Sequence, residues 1–283
     1  MGRNSRNKRI RRERADKAAA FSEKLLADAL TRGCLFCLES SGGFTAPEHI
    51  LPETMGNKDK VLPPGVVCDR CNHGPLSVID EALSEFHPVK LWRTLHGVRT
   101  KSGKFPTVAL TNGSITYLPS PSPGTDPILS IRSNSPKRPI LERSELQDGR
   151  VSVEGVFSGG RPLTPRHASQ LSRALLKIAL ELFWLDDPVA AFSPDLNHLR
   201  LAVLGAPRDG FFAVIEGTSD LTALHSRVTY QPHRTADDRI DVVVIFQYKG
   251  VVAFTDTKHT ALPTVPEGIR ANAVSFTVAE HDK

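Results

Sequence analysis

Midway along the chain, Leu171, Ala174, Leu175, Ile178, Leu182 and Phe183 recur every three or four residues within TPRHASQLSRALLKIALELFWL. That spacing places them on one face of a helix, the strongest helical signal in the sequence. Thr164 before Pro165 supplies an N-cap followed by a proline that the first turn tolerates. A second helix is expected from Arg11 to about Leu30, where Phe21, Leu25, Leu26 and Leu30 share a face and Gly33 follows the end. A third is expected at about Pro75–Phe86, with Pro88 beyond its end.

Elsewhere the apolar runs are short and rich in branched residues, as in strands. ILSIRS, RVSVEGVF, LRLAVLG, FFAVIEG, HSRVTY, IDVVVIFQ and GVVAFTD are read this way. The last two, joined across YKG, read as a hairpin. Residues 98–126 read as short strands and loops that end in the irregular LPSPSPGTDP. Strands followed by a long helix and more strands give an α+β class, with antiparallel strands and one long helix in the C-terminal half.

Composition narrows the setting. The 283 residues suit one large domain or two modest ones. No run reaches the roughly 18 apolar residues of a membrane span, and the charged N-terminus lacks a signal-peptide core, so a cytoplasmic protein without a membrane partner is expected. The net charge is +5, but residues 1–14 alone hold seven basic side chains against Glu13. A basic arm on a near-neutral body suggests a polyanion partner, and a solubilising tail is the plainer alternative.

The only four cysteines are Cys34, Cys37, Cys68 and Cys71, two C-x2-C pairs separated by 30 residues. In a reducing compartment such pairs read as a tetrahedral thiolate site for structural Zn²⁺. Between and just after them stand Glu48-His49-Ile50-Leu51-Pro52 and Cys68-Asp69-Arg70-Cys71-Asn72.

CLFC, PEHILP and GVVCDRCN in this order resemble the HNH endonuclease superfamily, with its ββα-metal fold, in the branch clamped by two CxxC knuckles. The resemblance covers about 45 residues, and extends weakly into LSRALLKIALELF. It implies metal-dependent hydrolysis of phosphodiester bonds, in DNA more readily than RNA. His49 would be the general base that activates water. Glu48 and Asn72 would hold one Mg²⁺ or Mn²⁺ against the scissile phosphate, leaving 3′-hydroxyl and 5′-phosphate ends. Pro63 stands where many members carry a loop-bracing Asn, and Asn57 is the candidate substitute. One such site cuts one strand, so double-strand cleavage calls for a homodimer or two successive nicks.

Arg70, Lys58, Lys60 and, in the arm, Arg9, Arg11 and Arg12 are candidate phosphate contacts. His73 is an exposed first-turn residue on this reading, whereas His87, His96, Phe183 and Trp184 are structural. Asp186 and Asp187 read as a helix-end turn. The expected organisation is an arm at 1–14, a helix and the HNH module at 15–97, an irregular connection at 98–126 and an α+β domain of unassigned role at 127–283. A zinc-stabilised nucleic-acid-binding or regulatory protein without catalysis is the alternative, and a scaffold for protein contacts a third.

Overall fold

The computed structural model describes residues 30–100, 102–110, 113–118, 128–133, 163–206, 208–216, 227–234, 240–248, 251–256 and 270–278. The basic arm with Arg9, Arg11 and Arg12, the N-terminal helix short of Leu30, and RVSVEGVF lie outside them.

The module that carries the two CxxC pairs opens the described chain. Strands β1 (Glu48–His49) and β2 (Val61–Leu62) pair antiparallel, Glu48 opposite Leu62 and His49 opposite Val61. A helical turn at Asp69–Cys71 widens over Asn72–Leu76, where Gly74 and Pro75 interrupt the regular ladder. It continues as helix α1 (Ser77–Glu85), within the span expected from sequence. Helix α2 (His87–Leu95) was not expected. Pro88 does stop α1, and it also sits in the first turn of α2, where a missing N–H does no harm.

Next comes a three-stranded antiparallel sheet of β3 (Val108–Leu110), β4 (Gly113–Leu118) and β5 (Ile128–Ser133), in that order. Two of its strands come from the 98–126 segment and the third from ILSIRS. Val108, Ile115 and Tyr117 are buried, and the Tyr117 hydroxyl donates to the Leu95 carbonyl at 2.9 Å, fixing this sheet to α2.

The long helix α3 (Pro165–Asp186) forms where the periodicity placed it. The Thr164 hydroxyl accepts the His167 N–H at 3.3 Å, as an N-cap should. Burial extends beyond the expected face, because Ala174 through Glu181 are all buried. A helix buried all round lies between layers. One side of α3 meets the five-stranded antiparallel sheet of β6 (Arg208–Glu216), β7 (Arg227–Arg234), β8 (Ile240–Tyr248), β9 (Val251–Asp256) and β10 (Arg270–Val278), ordered β10-β6-β9-β8-β7. The other side meets α1 and helix α4 (Asn197–Leu204). The β8–β9 pair, with Tyr248 opposite Val251, is the hairpin expected across YKG.

LRLAVLG is helical in α4, not a strand. Leu199, Ala202 and Val203 are buried while Leu201 is 56% exposed, a helical alternation, and Gly205 at φ +95° ends it. Short apolar runs do not distinguish the two structures by periodicity alone. A single core runs from Cys34, Phe36, Leu62 and Ile79 through Leu175 and Ile178 to Phe212, Val244 and Phe246. No described helix is long and apolar enough to cross a membrane.

Candidate functional site

The four cysteine sulfurs lie within 4.8 Å of one another. Cys37 Sγ and Cys68 Sγ are 3.7 Å apart, too far for a disulfide. Zinc–thiolate bonds of about 2.3 Å in a tetrahedron put sulfurs about 3.8 Å apart, so the cluster could bind a zinc ion. Backbone geometry turns the thiols inward. The Leu35 N–H donates to the Val66 carbonyl at 2.9 Å, joining the knuckles, and the Cys68 N–H donates to Cys34 Sγ at 3.4 Å. A hydrogen bond from Cys71 lowers the Cys34 thiol to about 5, and the same bond raises Cys71. Gly33 is obligatory at this corner: at φ +86°, a Cβ would lie 2.9 Å from the Glu39 backbone.

The second knuckle also positions the segment leading to β1. Asp69 accepts the Thr45 and Ala46 N–H groups, each at 3.0 Å, and the Thr45 hydroxyl at 2.9 Å. These bonds hold the Asp69 carboxyl below its usual range, the Ala46 N–H foremost. Gly43 faces this clamp, and a Cβ there would come within 2.6 Å of Asp69 Oδ2. The Asn72 amide donates to the Pro47 carbonyl at 3.2 Å, which leaves its amide oxygen available as an acceptor.

Glu48, His49 and Asn72 are thereby brought to the lining of one cleft of about 500 Å³, which Glu53, Glu81 and Glu85 also line. His49 Nδ1 is buried and has no hydrogen-bond partner. His73 is exposed at the same cleft. Asn57 braces the loop between β1 and β2. Its amide donates to the Leu51 and Lys60 carbonyls at 2.9 and 2.8 Å, and its oxygen accepts the Lys60 N–H at 3.0 Å.

Glu48 is only 3% exposed. Its Oε1 lies 2.6 Å from the Lys177 ammonium, which comes from α3 and is itself fully buried. Burial raises the Glu48 carboxyl, and Lys177 opposes that rise. Lys177 also donates to the His49 carbonyl at 2.9 Å and to Asp80 of α1 at 3.0 Å. Glu181 lies 3.6 Å from the ammonium, and neither of its oxygens has a hydrogen-bond partner. Burial holds the Glu181 carboxyl well above its ordinary range. Asp80, Glu181 and Glu48 together keep the ammonium charged despite its burial.

Arg70, Lys58 and Lys60, the basic candidates among the described residues, do not line this cleft. Arg70 donates to Cys37 Sγ and pairs with Glu39 at 3.1 Å, on the knuckle side. Lys58 and Lys60 are exposed on the braced loop. His87 meets the Ala109 carbonyl and His96 stacks on Trp92, both structural contacts. Trp184 is buried and Phe183 packs edge-on against Tyr230. Asp187 caps the turn after α3 by accepting the Val189 and Ala190 N–H groups.

Sequence reading did not single out Lys177, Asp80 or Asp69. A signal existed for Lys177 and Glu181, an i,i+4 pair beside the apolar face of a long helix, but such pairs ordinarily face solvent. Comparison of the chain with protein-family models, with curated proteins and with solved structures returned no match.

Proposed function

We propose that the protein is a metal-dependent endonuclease of the HNH type that hydrolyses DNA phosphodiester bonds. One observation carries this reading: a pair of strands flanked by four convergent cysteines and followed by a helix brings Glu48, His49 and Asn72 to the lining of one cleft. The donor chemistry fits a hard divalent cation. The Glu48 carboxylate and the Asn72 amide oxygen would hold Mg²⁺ or Mn²⁺, which supplies charge stabilisation to the phosphoryl and leaving oxygens.

The rest is work for the chain. A neutral His49 imidazole takes a proton from water as the water oxygen attacks phosphorus. The bond from phosphorus to the 3′ oxygen breaks, giving a 3′-hydroxyl and a 5′-phosphate. Asn57 and Asp69 keep the strand and its loop in place while the imidazole works. The zinc-clamped knuckles play no chemical part, because all four ligand positions would be thiolates. The basic arm and the exposed Lys58 and Lys60 would supply phosphate contacts away from the cleft.

The test is cleavage of supercoiled plasmid in Mg²⁺ or Mn²⁺ by wild type and His49→Ala. Nicking by wild type alone, with equal zinc content in both proteins, is expected. An inert wild type across metals and substrates, or an equally active variant, refutes the proposal. An inert wild type that still shifts DNA would favour a zinc-stabilised binding protein.

A further inference from the structure

The geometry points to Lys177 as a positioning residue for the candidate site, supplied by the C-terminal half of the chain; this rests on the nuclease reading above. An ammonium has three N–H donors, and each has an acceptor here: Glu48 Oε1 at 2.6 Å, the His49 carbonyl at 2.9 Å and the Asp80 carboxylate at 3.0 Å. These acceptors belong to β1 and α1, the strand and helix between which the candidate catalytic groups sit. One buried side chain thus fixes the rotamer of Glu48, the backbone at His49 and the distance from strand to helix.

The arrangement resolves a geometric problem in the sequence. Adjacent residues on a strand point to opposite faces, yet Glu48 and His49 both line the cleft. β1 is only two residues long, and Lys177 holds both of them from the same side, one by its side chain and one by its carbonyl. Lys177 cannot reach substrate, because it is fully buried. Its influence passes through Glu48 and His49. The module is accordingly incomplete without α3.

The test uses the full chain. Wild type, Lys177→Met, Lys177→Arg and the double variant Lys177→Met/Asp80→Asn are compared in three measurements: zinc content, steady-state plasmid nicking, and the side-chain ¹H–¹⁵N spectrum of His49, assigned by its loss in His49→Gln. Lys177→Met is expected to keep its zinc and lose kcat on the order of 100-fold, the penalty of a misplaced catalytic group, with KM for DNA unchanged. Lys177→Arg recovers part of kcat, since it keeps the charge without the compact geometry. The His49 imidazole signals move in Lys177→Met. If that variant fails to fold, the double variant, with one facing carboxylate neutralised, carries the same comparison. Unchanged kcat in a zinc-loaded variant, or His49 signals that stay in place, overturns the positioning role. If wild type proves inert, the nuclease reading falls, and the His49 signals still decide whether Lys177 sets the imidazole.

Discussion

Arg200 offers a sharp stability test, because it anchors the first knuckle through backbone carbonyls and an amide oxygen. It is 2% exposed on α4. Nε donates to the Leu35 carbonyl at 2.8 Å, and Nη1 to the Ser193 carbonyl at 3.0 Å and Asn197 Oδ1 at 2.8 Å. Nη2 donates to the Ala191 carbonyl. Arg200→Met fills most of the same space but orphans the Leu35 and Ala191 carbonyls, while the Ser193 carbonyl keeps the Leu196 N–H at 3.1 Å and the exposed Asn197 side chain can turn to water. An orphaned buried acceptor costs about 1–3 kcal/mol, so the gross loss is about 2–6 kcal/mol. Relaxation and entry of water bring the expected value to about 2–4 kcal/mol, a large share of a typical stability. The assay is urea unfolding of the zinc-loaded chain, followed by tryptophan fluorescence. Leu35 lies between two cysteines, so zinc transfer to a competing chelator should also quicken. A loss below about 1 kcal/mol with unchanged zinc transfer would refute this account of Arg200.

Three further outcomes are expected. Asn57→Ala removes three hydrogen bonds from the β1–β2 loop and should cost about 1–3 kcal/mol in urea unfolding; a change within 0.5 kcal/mol, the ordinary scatter of about that size at neutral surface sites, would show that the loop holds itself. Glu181→Gln should stabilise the protein increasingly as the pH rises above 4.5. The folded carboxyl keeps its proton well above the ordinary value of 4.5, so wild-type stability falls as pH rises past that value, and glutamine removes the fall. A urea midpoint difference that does not grow with pH would contradict this. Stripping zinc with a strong chelator should disturb the fluorescence of Trp184 as well as the knuckles, because Trp184 and three of the cysteines share one core; an unchanged Trp184 signal would place the knuckles outside the cooperative unit.

Much of this was legible in the sequence where one residue type has one common use. Four cysteines in two tight pairs foretold their convergence, and the recurrence of Leu171, Leu175, Ile178 and Leu182 foretold α3. Asn57 entered only by resemblance, as a candidate substitute for a bracing Asn, and its contacts to Leu51 and Lys60 came from the structure. LRLAVLG was misread because seven apolar-rich residues suit strand and helix alike, and only tertiary packing buried Leu199 and Val203 while leaving Leu201 out. Lys177 was illegible for a different reason. A lysine beside an apolar face reads as solvated, and its burial depends on Glu48 and Asp80, each about a hundred residues or more away in the chain.

That separation has a consequence during synthesis. Glu48 and Asp80 emerge from the ribosome well before the ammonium they meet in the finished fold. The 97 residues from Asp80 to Lys177 take roughly 5–20 s to translate at ordinary elongation rates. Throughout that interval the nascent module has both cysteine pairs and can take up metal, while its two carboxylates remain without their counter-charge. The cleft therefore acquires its final electrostatic character late, on a clock set by chain length.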